Sequence, residues 1–185
     1  FYFAEKFCTW VNTQKPTFSN IKRDHSRIII PFIDREKKWF GFQGRSLNPK
    51  DKMRYITVML DENRPKIYGL DRIDASKTIY VVEGPFDSTL IRNSVAMAGS
   101  DVDSRTLGWS NYIWIYDNEP RNREIVNRIS RTIDRGEKVV IFPQHIQQKD
   151  INDMHLAGHD VQSLVELNTY QGLEAKVKLT EWKKV

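Results

Sequence analysis

Four short apolar runs in the second half of the chain limit its possible folds more than any other feature. Thr78–Val82 (T-I-Y-V-V), Val95–Ala98, Tyr112–Tyr116 (Y-I-W-I-Y) and Lys138–Phe142 (K-V-V-I-F) are four or five residues long and mostly β-branched or aromatic. They read as strands covered on both faces, because polar and apolar residues do not alternate cleanly within them. Helix-compatible residues lie between them. One such stretch is 86–92. Another is introduced by Pro120, carries Ile125, Ile129 and Ile133 on one face, and is stopped by Gly136. Strand, helix and strand in alternation predict an α/β fold, a parallel sheet joined by right-handed crossovers with helices on both faces. In such sheets ligands sit at the carboxyl ends of the strands.

The first half has a different texture. Phe3, Phe7, Trp10 and Val11 recur at helical spacing, so a helix is expected in the first dozen residues, followed by a linker over 14–20 with Pro16 and Ser19. Arg27–Ile33 and Lys38–Phe42 predict a hairpin, with Phe40 and Phe42 pointing into a core. Gly44, Pro49 and Pro65 break up residues 43–75, where Tyr55–Leu60 is the only apolar run. Leu173, Val177 and Trp182 predict a helix in the tail. The expected organisation is therefore 1–20 as helix and linker, 21–75 as a basic α+β unit, 76–168 as the α/β domain and 169–185 as a C-terminal helix.

Charge follows the same division. Of a net +5 over 185 residues, segment 21–75 holds thirteen Lys and Arg against eight Asp and Glu, whereas 76–168 holds ten against thirteen. A basic half suits a polyanion and an acidic half suits divalent cations. A single cysteine, Cys8, excludes a disulfide framework and a multi-cysteine zinc ribbon, and fits a reducing cytoplasm. No apolar run approaches the ~20 residues that span a bilayer, and no P-loop is present. The chain opens on Phe1 and is expected to be part of something longer.

Acidic residues follow three of the four strands. Thr78–Val82 runs into Glu83-Gly84-Pro85-Phe86-Asp87, Tyr112–Tyr116 into Asp117-Asn118-Glu119, and Lys138–Phe142 into a loop ending at Lys149-Asp150-Ile151-Asn152-Asp153. In a parallel sheet these ends converge on one edge, and crowded carboxylates stay ionised together only with cations among them. An all-oxygen donor set without a His or Cys cluster favours Mg²⁺ or Mn²⁺ over zinc. Each acid alone reads as an ordinary turn or helix cap. Three in chain order on one sheet point to a site.

Glu83-Gly84-x-x-Asp87 after a strand, an Asp-x-acid motif after the next main strand, and then Lys-Asp-x-Asn resemble the Toprim domain of DNA primases and topoisomerases. Upstream, Arg27–Ile33, Gly41-Phe42-Gln43-Gly44-Arg45, Arg54-Tyr55 and Ile67-Tyr68-Gly69-Leu70-Asp71 resemble the basic subdomain that precedes Toprim in bacterial-type and phage primases. The similarity covers roughly 27–155, and the Lys-Asp-Ile-Asn form leans towards T4-like phage primases.

This resemblance implies a Toprim-type parallel sheet preceded by a small basic α+β subdomain. It implies primer synthesis from ribonucleoside triphosphates on a single-stranded DNA template, with two Mg²⁺ or Mn²⁺ ions about 3.5–4 Å apart. Asp117, Glu119 and Asp150 are the implied metal ligands. Glu83 is either a further ligand or the general base, Asp87 orients a metal-bound water, and Asp153 supports the metal shell beside Asn152. Arg45, Lys52, Arg54 and Tyr55 are expected to hold template and nucleotides, with Lys149 and Asn152 contributing from the acidic half. Gly99-Ser100 stands where the family has a Gly-Thr turn. The implied partners are the template, the triphosphates, the RNA–DNA primer duplex and a replicative helicase, with no membrane. The implied setting is the cytoplasm, that of a host bacterium if the chain is phage-encoded.

The resemblance also leaves a Toprim nuclease and a non-catalytic module for single-stranded DNA or helicase docking as alternatives. The basic segment argues against the nuclease. The departure from the family's usual Asp-x-Asp, with Glu119 followed by Pro120, keeps the binding module open.

Overall fold

The computed structural model describes residues 1–99 and 108–185, so Ser100 lies outside the described residues. The chain divides into two units, Phe1–Asp71 and Arg72–Val185.

The first unit is an antiparallel sheet of four strands in the order β1 (Tyr2–Ala4), β2 (Arg27–Ile33), β3 (Trp39–Ser46) and β4 (Tyr55–Met59), with helix α1 (Phe7–Gln14) packed on it. Its core joins Phe7 and Val11 of α1 to Ile29, Phe42 and Val58 of the strands. Gly44 makes that packing possible, since a Cβ there would run into the Phe7 ring. Phe40 and Phe42 are both buried, as their alternation predicts. Phe3 departs from the expected helix. It pairs with Ile28 in β1 and is exposed, and α1 begins only after the bend at Glu5 and Lys6. The start of α1 is capped from a distance, because the Asp24 carboxylate accepts the Cys8 and Thr9 N–H groups at 2.6 and 2.9 Å.

The second unit holds a five-stranded sheet in the order β6-β5-β7-β8-β9. Strands β5 (Ile79–Val82), β6 (Ser94–Ala96), β7 (Tyr112–Trp114) and β8 (Lys138–Val140) are parallel, and β9 (Thr169–Tyr170) closes one edge antiparallel to β8. From β5 the chain steps outward to β6, then returns to the other side of β5 to place β7. The switch point of the topology therefore lies between the carboxyl ends of β5 and β7. Helix α2 (Arg123–Asp134) is capped by the Asn122 side chain, buries Ile125, Val126, Ile129 and Ile133, and stops at Gly136, whose φ is +75°.

Three expectations in this unit are corrected. The stretch 86–92 forms only a 3-10 turn, Asp87–Thr89, because the Ser88 and Thr89 hydroxyls donate to the Pro85 and Phe86 carbonyls and compete with helix propagation. Lys149–Asp153 is not all loop. Asp150 caps a short helix, α3 (Ile151–Leu156), which α4 (Val161–Leu167) follows. The tail is not helical from 169, since β9 precedes α5 (Gly172–Trp182). That helix buries Ala175, Leu179 and Trp182 and leaves Leu173 and Val177 exposed. Among the described residues no helix is long and apolar enough to cross a membrane.

Candidate active site

Strand β5 ends at Val82 and hands the chain to Glu83, and the run through β7 hands it to Asp117 on the neighbouring strand. Across the switch point the Asp117 N–H faces Glu83 Oε1 at 3.5 Å. Glu83 is also held from α2, where Arg128 Nη1 lies 3.3 Å from its Oε2 and the guanidinium stacks over the Tyr116 ring at 5.0 Å. Arg128 was not among the sequence candidates. Its signal is positional: it stands three residues from Ile125 on the helix's apolar stripe, where a cation needs a buried partner.

Asp87 sits at the 3-10 turn directly over Gly84, where a Cβ would lie 2.5 Å from Asp87 Oδ2. Its Oδ1 accepts the Asn152 N–H at 3.0 Å, which ties the first turn of α3 to this end of β5. Asp150 spends one oxygen on the Asp153 N–H at 2.8 Å as the cap of α3, and Asp153 is exposed in the first turn of that helix.

Asp117 and Glu119 are joined by a tight turn in which the Glu119 N–H donates to the Asp117 carbonyl at 2.9 Å. Lys149 Nζ bridges the two carboxylates, 3.4 Å from Asp117 and 3.5 Å from Glu119. Glu119 also accepts from the Asn122 amide at 3.4 Å, so the cap of α2 braces it.

Burial and like charge shape the electrostatics. Burial, then the Glu83 charge, pushes the Asp117 carboxyl up to about 7 even though Lys149 pulls the other way. Burial pushes Asp87 up to about 6 against the stabilising N–H of Asn152, with the Asp150 and Asp153 charges adding to the rise. Burial lowers the Lys149 pKa, and Asp117 and Glu119 more than reverse that, so it ends raised.

The structure thus brings Glu83, Asp87 and Asp117 into one electrostatic group, attaches Glu119 to it through Lys149, and reaches Asp150 and Asp153 through Asn152 and Asp87. As they stand, no three His, Cys, Asp or Glu side chains among the described residues form a metal-holding cluster.

Arg45, Lys52, Arg54 and Tyr55 lie in the first unit. Arg45 and Tyr55 are directly paired across β3 and β4. The guanidinium lies 5.3 Å from the tyrosine ring centre and donates to its hydroxyl. Lys52 and Arg54 are exposed on the loop before β4. Sequence reasoning missed what shapes that loop. Arg27 is buried and donates to the Gly44, Met53 and Arg54 carbonyls at 3.1, 2.9 and 3.3 Å and to Asp51 at 2.8 Å.

No family model matches the chain. Over its whole length it is 31% identical to the DNA primase of Enterobacteria phage T4, and it spans 55% of that protein. Its fold matches the RNA polymerase domain of Mycobacterium tuberculosis primase DnaG with a TM-score of 0.62 at 20% identity, covering 78% of this chain and 56% of that one. The same domain in complex with a double-stranded DNA oligomer carrying a 6-nucleotide overhang matches with a TM-score of 0.65 at 19% identity, covering 84% and 57%. The E. coli primase catalytic core matches at 0.57 and 17% identity, covering 95% and 60%. The chain is thus similar in sequence to a phage DNA primase, of which it spans about half, and has the fold of bacterial primase catalytic cores.

Proposed function

We propose that this chain is the RNA polymerase core of a DNA primase, joining ribonucleotides into short primers on single-stranded DNA with Mg²⁺ or Mn²⁺. The observation that carries the reading is the placement of Glu83 and Asp117 on either side of the switch point, with Asp117 pushed up to about 7. A group in that state gains from a cation, which replaces the proton and offsets the Glu83 charge.

The donor chemistry fits a hard divalent ion, since every candidate is a carboxylate oxygen. Asp117, Glu119 and Glu83 would hold it, with Asp150 and Asp153 contributing from α3, and we propose two ions. Such ions, when bound, neutralise charge on the triphosphate and favour attack by the primer's 3′ hydroxyl. The remaining roles belong to the chain's own groups. Asp87, held near 6, exchanges a proton close to neutral pH at Oδ2, its other oxygen being engaged by Asn152. Lys149, half exposed beside the acids, offers its ammonium to the triphosphate. Arg128 fixes Glu83.

In the first unit, the Arg45–Tyr55 pair offers a cation and a ring to a single strand, and Lys52 and Arg54 offer charge to its phosphates. The partners proposed are the template, the ribonucleoside triphosphates, the primer duplex and a replicative helicase.

The deciding experiment is synthesis of labelled RNA on single-stranded DNA with Mg²⁺ or Mn²⁺, with Asp117→Ala alongside. The expected loss is roughly 100-fold or more. Full synthesis by the variant would sink the proposal.

One observation favours a second reading, a binding module without catalysis: the Lys149 ammonium pairs with both Asp117 and Glu119 and offsets part of their charge. A module of that kind would bind single-stranded DNA and show no response to Mn²⁺ titration.

A further inference from the structure

We infer that Asn118 and Trp182 are positioning residues for the proposed catalytic acids, and that the end of the C-terminal helix α5 holds the Asp117–Glu119 turn in its working geometry. This rests on the catalytic reading above. It concerns residues that touch neither substrate nor metal.

Asn118 is 8% exposed and bonds with its amide and its backbone N–H. Its Nδ2 donates to the Ile146 and Gln148 carbonyls, both at 3.0 Å. Its Oδ1 accepts the Trp182 Nε1–H at 2.8 Å, and its backbone N–H donates to the Lys149 carbonyl at 2.6 Å. Trp182, 4% exposed, is the last residue of α5. Two residues on, the Lys184 N–H donates to the Pro120 carbonyl at 2.8 Å.

The end of α5 therefore grips the chain at 118 and at 120, on both sides of Glu119. The same amide fastens the loop that ends in Lys149, the residue bridging Asp117 and Glu119. A buried amide with every group engaged holds its neighbours in one arrangement, since a shift that breaks one bond leaves a polar atom unpaired away from water. Both acids and their lysine are thus referenced to one side chain, and that side chain to an indole 64 residues away.

Trp182→Phe tests the link because it keeps an aromatic ring and removes the N–H. The control is Leu179→Ala, which loosens α5 through packing alone. Each protein is compared at the same interval below its own thermal midpoint. Hydrogen–deuterium exchange should quicken in peptides covering 117–119 and 146–149 for Trp182→Phe and not for Leu179→Ala. Mn²⁺ affinity, read by calorimetry or by the electron paramagnetic resonance of free Mn²⁺, should fall about 10-fold or more for Trp182→Phe only. Unchanged exchange in Trp182→Phe, or an equal change in Leu179→Ala, overturns the inference. If the wild-type chain binds no Mn²⁺, the metal reading has failed, and the positioning link is decided by the exchange result. Should Trp182→Phe not fold, Asn118→Ala carries the same comparison from the other end of the bond.

Discussion

Glu83 and Asp117 face each other across the gap between β5 and β7, with Glu83 Oε1 3.5 Å from the Asp117 N–H. The sheet order creates that meeting. The chain lays down β6 on the far side of β5 before returning to build β7, so the connections leaving the carboxyl ends of β5 and β7 start towards strands on opposite sides of the gap. Burial there and the Glu83 charge raise the cost of ionising Asp117, and four expected outcomes follow from this site and from the basic unit.

Asp117 should cost the fold stability at alkaline pH. Its folded pKa of about 7 lies above the value of 3.8 expected for a free aspartate. Between those values the folded chain keeps a proton that the unfolded chain has released, so this group's contribution falls as pH rises and the penalty is complete above about 7. Without divalent metal, Asp117→Asn should raise the thermal midpoint at pH 8 by about 2–4 °C and leave it nearly unchanged at pH 4. Thermal denaturation at the two pH values measures this, and a lower midpoint for the variant at pH 8 would contradict it.

Gly84 is needed for close approach, because a Cβ there would collide with the Asp87 carboxylate. Gly84→Ala should move Asp87 off its bond to Asn152 and reduce primer synthesis about 10-fold or more, with little change in circular dichroism. An active variant would mean that the position of Asp87 does not matter to the reaction.

Arg27 should matter more to the first unit than any exposed cation. Removing it takes one donor from the Gly44, Met53 and Arg54 carbonyls and the paired cation from Asp51, so Arg27→Ala should cost about 3 kcal/mol in urea denaturation. The loop bearing Lys52 and Arg54 should become sensitive to protease in the same variant. A loss below about 1 kcal/mol would assign the loop's shape to other contacts.

Tyr55→Ala and Lys52→Ala should weaken single-stranded DNA binding in different ways. Loss of a stacking ring costs about 1–3 kcal/mol with little effect on salt dependence, whereas loss of one phosphate contact lowers the salt slope by about 0.7. Fluorescence anisotropy at several salt concentrations separates the two. Equal salt slopes for Lys52→Ala and the wild-type chain would remove Lys52 from the interface.

The parts of this molecule legible in the sequence are those where one local rule dominates. The unbroken apolar runs at 78–82, 112–116 and 138–142 read as buried strands, and the isoleucine stripe of α2 read as a helix face because nothing competes with its period. Phe3 misled because an aromatic at helical spacing from Phe7 fits a strand equally well, and pairing with Ile28 decided the matter from 25 residues away. Residues 86–92 misled because two hydroxyls turn back on the chain. Within the site, the acids were visible because charge after an apolar strand is unusual. Arg27, Asn118, Arg128 and Trp182 were not, since their roles come from partners that only tertiary folding supplies.

The alternation at 117–119 turns chain length into a constraint. One side chain goes inward and its two neighbours go to the rim, so a single-residue insertion or deletion between Tyr116 and Pro120 would send carboxylates towards Ile146 and Trp182 and leave the amide facing solvent. Amino-acid exchanges in this segment can be graded in their effects, but a change of register cannot, and the stretch should tolerate variation in composition far better than variation in spacing.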